Sequence, residues 1–271
     1  MNDLRSSYII HLLIFLVVAN TSSAQFITRH EIDSSSFVGD KFDLYISTPP
    51  GFHADSTYRV VYYLDANIMS GRKLRRLLST SEFNQTLQQV IFIGIGHRGN
   101  FRTCRSRDFL LPRKIWNKEQ LAQKKRGQTD RFYSYLKEEL MPFVSSTFHI
   151  DSGKNSIIGH SLGGLFVVYT LLKQEDLFAN YFALSPSLWV HRYSVYHFNH
   201  IESGFAQQKN LYFTSGSREI LNKILHGTNR LNKFLSQKSY NGLSYEYQIW
   251  KGKTHHTSVY PALHRILKEK L

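Results

Sequence analysis

The run Gly159-His160-Ser161-Leu162-Gly163-Gly164 constrains this chain more than any other segment. It sets a serine between glycines at the spacing of a nucleophile elbow, the sharp turn that carries a reactive serine from a strand into a helix. The preceding run, Asn155-Ser156-Ile157-Ile158, is short and apolar and predicts a buried strand. The following run, Leu165 to Leu172, is long enough for a helix packed on a sheet. The turn forces strained backbone geometry on the serine, so bulk at the flanking positions would clash. The helix that starts after it points backbone N–H groups at the place where an oxyanion would form. A chain of 271 residues shows G-x-S-x-G by accident about one time in ten. The flanking strand and helix therefore carry as much of the argument as the motif does.

The rest of the chain supplies a fold in which such a turn belongs. Phe42–Ile46 alternates apolar and polar side chains and predicts an early antiparallel strand. Arg59–Asp65 and Val90–Gly96 are nearly continuously apolar, as expected of strands covered on both faces. Tyr181–Leu184, Leu211–Thr214 and Tyr245–Trp250 predict further strands, and Asp130–Val144, Ile220–Leu235 and Val259–Leu271 predict helices. Strands alternating with helices imply an α/β fold, with a mostly parallel sheet and helices on both faces. Arg98–Arg126 is rich in charge, lacks clean periodicity and is read as an excursion over the rim of a site.

Residues 1–24 read as a secretory signal peptide: a short polar start, an apolar stretch from Tyr8 to Ala19, and small residues ending at Ala24. The apolar part is too short to cross a bilayer as a stable helix. The expectation is a protein exported to the periplasm or the extracellular space, with no stable membrane insertion after cleavage and one domain over residues 25–271. The single cysteine, Cys104, has no partner for an internal disulfide and no reactive context. The formal net charge of +14 favours anionic partners. The basic residues cluster at Arg72-Lys73-Leu74-Arg75-Arg76 and Lys124-Lys125-Arg126 without a nucleic-acid-binding motif, so no nucleic-acid partner is expected.

A serine nucleophile needs a base, and the base needs an orienting group. When the partners follow in the order serine, acid, histidine, the histidine lies after the last strand. Here Lys251–Val259 follows that strand and contains His255 and His256. The acid belongs after the preceding strand, where Glu219 is the first carboxylate. Glu219 has an alternative role as a first-turn helix carboxylate. His191, His197 and His200 form no H-E-x-x-H or comparable pattern, so neither metal nor cofactor is expected.

With these residues in place, the chain resembles the esterase family of α/β-hydrolases that includes siderophore (enterobactin-type) esterases, feruloyl esterases and S-formylglutathione hydrolases. Tyr62–Asn67 is similar to that family's "YLLDG" run. Gly94-Ile95-Gly96 followed by Arg107–Pro112 is similar to its "GIG…R-D-x-x-P" region, and Ser185–Trp189 to its "SPS-x-W". His256-Thr257-Ser258-Val259 resembles its "H-x-S-V", and that resemblance selects His256 over His255. Ala66 stands where the family usually has glycine, and an extra residue separates Gly252 from His256.

The resemblance implies an α/β-hydrolase fold and a serine carboxylic-ester hydrolase working through an acyl-enzyme, with Ser161, His256 and Glu219 as its catalytic set. It further implies Leu162, Ala66 and Asn67 as oxyanion donors, and Arg107 and Trp189 as pocket residues. Export argues against a cytosolic thioester substrate, and the basic surplus suits an anionic siderophore-type ester. A feruloyl or acetyl ester of polysaccharide is the enzymatic alternative. A binding protein on a hydrolase scaffold is the non-enzymatic one, and it predicts a broken catalytic set.

Overall fold

Residues 27–32, 34–112, 127–173, 176–201, 204–219 and 222–271 are described by the computed structural model. The expected signal peptide and the basic cluster Lys124–Arg126 lie outside the described residues. Among the described residues, eight strands form one sheet: β1 Ile27–Ile32, β2 Phe42–Ser47, β3 Arg59–Leu64, β4 Val90–His97, β5 Ser156–His160, β6 Asn180–Leu184, β7 Gly204–Gly216 and β8 Asn241–Trp250. Their order is β1-β2-β4-β3-β5-β6-β7-β8. β1 pairs antiparallel with β2, and β2 with β4; every later pairing is parallel. The α/β expectation therefore holds, with a mostly parallel sheet.

The alternating side chains of the central strands explain why both faces are covered. Val60, Tyr62 and Leu64 of β3, with Ile91, Ile93 and Ile95 of β4, enter one apolar cluster with the helix Leu162–Leu172 and residues Phe132 to Val144. Val61 and Tyr63, with Val90 and Phe92, enter a second cluster with Leu74, Leu77, Val259, Leu263 and Ile266. A strand read as continuously apolar is thus two alternating half-strands, each serving its own face.

The structure adds elements that periodicity does not reveal. β1 precedes the first expected strand, and the helices Met69–Leu78 and Ser81–Thr86 lie between β3 and β4. β7 begins at Gly204, ahead of the expected Leu211; Ala206 to Gln208 are exposed, so that stretch carries no apolar run to read. The helix expected over 130–144 runs as Thr129–Tyr135, a π-helical turn Leu136–Leu140, and Met141–Thr147. Within the expected rim excursion sits a helix, Phe101–Asp108, capped by the Asn100 side chain, which accepts hydrogen bonds from the Arg102 and Thr103 N–H groups. Its buried face carries Cys104 and Asp108. A face that buries a carboxylate gives no hydrophobic period to read.

The elbow requires glycine at Gly159, where a Cβ would lie 2.3 Å from the Gly163 carbonyl oxygen. That neighbour is backbone of the elbow helix and cannot swing aside. Gly159→Ala is expected to destabilise the protein by about 3 kcal/mol, the upper range for overpacking. A thermal melt followed by circular dichroism checks it; a midpoint equal to the wild type would show that the turn has room.

Candidate active site

The C-terminal ends of the parallel strands bring the expected residues to one edge of the sheet. Ser161 follows β5 directly and holds φ 61° and ψ −117°, the left-handed side of backbone space that non-glycine residues rarely adopt. Its N–H donates to Leu184 O of β6 (2.9 Å), and its carbonyl accepts from Ser187 N and Leu165 N, each at 3.0 Å. These bonds hold the strained residue from three sides. The Ser161 hydroxyl lies 3.2 Å from Ser187 Oγ.

A second tie comes from β3. Asp65 (φ 59°) pairs in two-pronged fashion with Arg105, at 2.7 and 2.8 Å, and Arg105 Nη2 also donates to His160 O at 3.4 Å. The helix Phe101–Asp108 thus joins the end of β3 to the end of β5.

Glu219 follows β7 and is buried, with its carboxylate fully satisfied. Oε1 accepts from Ser185 Oγ (2.7 Å) and Gly216 N (2.8 Å). Oε2 accepts from His255 Nδ1 at 2.9 Å. Burial alone raises the Glu219 carboxyl, but the hydrogen bonds from His255, the Gly216 N–H and Ser185 outweigh it and leave the group below its ordinary value. Glu219 therefore stands as a carboxylate against an imidazole. Because a carboxylate only accepts, His255 carries its proton on Nδ1, leaving Nε2 as the basic nitrogen.

This corrects the expected pairing. The histidine on Glu219 is His255; His256 is exposed, and its carbonyl accepts from Lys73 Nζ at 2.8 Å. Partial burial, then the neighbouring His255 and Lys73, push His256 below its ordinary value. The physical reason is the turn that follows Gly252. Thr254 and Thr257 close it through Thr254 N to Thr257 Oγ1 at 2.8 Å, which aims the first histidine of the pair inward.

The oxyanion expectation divides similarly. Leu162 opens the elbow helix, where an N–H has no carbonyl partner within the helix. The Ala66 N–H donates to Ile95 O at 3.0 Å and is engaged in the sheet, so Ala66 is not an available donor. The Asn67 side chain donates to His97 O at 2.7 Å. Of the two expected loop amides, that leaves the Asn67 main chain.

Arg107 is a structural cation, contrary to its expected pocket role. It chelates Asp108 at 2.7 and 2.8 Å, its third nitrogen bonds Asp40, and Asp108 also meets His97 Nε2 at 2.9 Å. Trp189 is 39% exposed at the rim, with Lys223 Nζ 5.0 Å from its ring centre. Ser185 and Ser187 join the site beyond the expected residues. The signal was present in the Ser185–Trp189 motif, whose two serines reach Glu219 and Ser161. Among the described residues, no three His, Cys, Asp or Glu side chains group as metal ligands, and no helix is long and apolar enough to cross a membrane. Burial raises the Cys104 thiol, which donates to Arg98 O at 3.1 Å.

His160 is buried beside this site, and its pKa lies well below the ordinary 6.5, through burial first and then the proximity of His255, Arg105 and His256. The native state thus resists a proton that the unfolded chain accepts. Stability contributed by neutral His160 is complete above 6.5 and lost as pH falls below it. His160→Gln is expected to flatten the fall of the thermal midpoint between neutral pH and about pH 5. An unchanged slope would place the acid sensitivity elsewhere.

Comparison with known proteins shows the family and the fold. A family model described as "Putative esterase" matches residues 34–268. Ferri-bacillibactin esterase BesA of Bacillus subtilis (strain 168) is 28% identical over 239 residues, 82% of this chain and 81% of that protein. Among solved structures, the BES protein from Bacillus cereus superposes with a TM-score of 0.74 at 24% identity, covering 93% of this chain and 98% of that one. Siderophore hydrolase EstB from Aspergillus nidulans gives a TM-score of 0.71 at 19% identity, covering 93% and 96%. The two structural likenesses establish the fold.

Proposed function

From the premise that this chain belongs to the esterase family, we propose that it hydrolyses carboxylic esters through Ser161, His255 and Glu219. The observation that carries the reading is the His255–Glu219 hydrogen bond, in a loop tied through the His255 carbonyl to His160, the residue before a serine in elbow geometry. His255 Nε2 takes the Ser161 proton as Oγ attacks the ester carbonyl. The N–H groups of Leu162 and Asn67 receive the developing oxyanion, each such donor contributing about 3 kcal/mol to the transition state. The alcohol leaves with the proton returned by His255, and the acyl group stays on Ser161 until water, activated by the same imidazole, releases it. Glu219 fixes the imidazole's tautomer and stabilises its charged form.

The proposed substrate is a siderophore-type ester. Support comes from the ferri-bacillibactin esterase name of the relative described above and from a net charge of +14, which favours an anionic ligand. The basic helix Met69–Leu78 contributes less free charge than its sequence suggests. Lys73 bonds His256 O, and Arg75 bonds Ala66 O and stacks on Tyr45 at 4.3 Å, which leaves Arg72 and Arg76 exposed. Export through residues 1–24 belongs to the same proposal.

Two measurements test the reading. An organophosphonate is expected to label the protein once, at Ser161, as located by peptide mass spectrometry. A catecholate trilactone is expected to be cleaved in preference to p-nitrophenyl butyrate. Labelling elsewhere would overturn the mechanism, and equal rates on both esters would overturn the substrate class.

A further inference from the structure

His160 is the residue before the nucleophile, yet its side chain points away from solvent and toward the histidine loop. It is 6% exposed, with Nε2 3.0 Å from the carbonyl oxygen of His255 and its ring centre 4.5 Å from that of His255. A carbonyl only accepts, so this contact requires a proton on Nε2. His255 is therefore held at its ring by Glu219 and at its carbonyl by His160, where the Ser258 hydroxyl also donates at the longer distance of 3.4 Å. β5 and β8 are separated by β6 and β7 in the sheet, so the nucleophile and the histidine loop are joined by no strand pairing. The His160 contact crosses that gap directly, from the residue bonded to Ser161 to the residue that serves it.

Resting on the esterase reading above, we propose that His160 is a positioning residue that sets the distance between Ser161 and the His255 imidazole. It touches neither substrate nor reacting atoms and acts through the His255 backbone. Burial keeps its ring neutral, and a neutral ring retains one N–H and so one defined tautomer. Loss of the contact frees the 254–257 turn to shift. A displacement of about 1 Å between reacting groups costs about 10²-fold in rate. The effect falls on the chemical step, because the substrate's own contacts are untouched.

The test compares His160→Leu, which removes the donor, with His160→Gln, whose amide N–H can reach the same carbonyl. On p-nitrophenyl acetate, His160→Leu is expected to lose about 10²-fold in kcat with KM within about threefold, and His160→Gln to recover to within about tenfold of wild type. In the wild-type protein, imidazole nitrogen NMR is expected to find His160 as the Nε2–H tautomer, a readout independent of any variant's folding. Full activity in His160→Leu, equal losses in both variants, or an Nδ1–H tautomer would overturn the proposal alone. A wild-type protein that neither hydrolyses esters nor takes up phosphonate at Ser161 would overturn the esterase reading and this inference with it.

Discussion

His255→Ala is expected to lower kcat/KM for p-nitrophenyl acetate by about 10⁴-fold or more, whereas His256→Ala costs less than about tenfold. The two residues are neighbours of identical chemistry, so composition, local charge and loop length change equally in both variants. What differs is the partner. His255 donates to a carboxylate held by two further hydrogen bonds, and His256 is exposed with its ring outside that network. Removing His255 takes away the proposed proton acceptor for Ser161 and leaves Glu219 a buried carboxylate without its imidazole. Removing His256 deletes an exposed ring and leaves intact the main-chain carbonyl that Lys73 holds. The contrast is read from steady-state kinetics on both variants beside wild type. A reversed order would return the base to His256 and require the 254–257 turn to rotate in solution.

Ser161→Ala is expected to reduce the same activity by about 10⁵-fold or more, to the level left by the oxyanion donors and binding alone. Alanine keeps the Cβ and therefore the same φ 61° strain, so the turn itself is unchanged. The hydroxyl lost makes one hydrogen bond, to Ser187, and its removal changes stability by about 1 kcal/mol or less. Activity and stability thus separate: a melt within a few degrees of wild type should accompany a dead enzyme. Retained turnover in a folded Ser161→Ala protein would transfer the nucleophile elsewhere, with Ser187 the first residue to examine at 3.2 Å.

What could be read in advance divides along a physical line. The covered strands, the elbow and the order of serine, acid and histidine are local patterns, written in consecutive residues, and their places in the sheet follow from alternation of β and α. The histidine choice was different, because a one-residue shift in a turn reverses which ring faces inward. That turn is set by the Thr254–Thr257 contact, not by any family-like spacing. Arg107 illustrates a second limit. Its partner Asp40 is 67 positions away, and a cation beside an expected site looks like a ligand until that carboxylate is found. The helix Phe101–Asp108 illustrates a third. It buries Asp108 against His97 and Arg107, so polar residues line the face where apolar ones would have announced it. Ala66 lost its expected role through a main-chain bond to Ile95, which no side-chain pattern encodes.

The members of the candidate triad hang from strands of unequal security. Ser161 follows β5, every residue of which is buried near the middle of the sheet, while His255 follows β8, an edge strand, which has no fully buried residue. Local opening takes the least buried pieces first. Fraying of that margin would carry the base away from a nucleophile still seated in intact structure. Heat or denaturant would then silence the molecule before melting it, and the fold would outlive its chemistry.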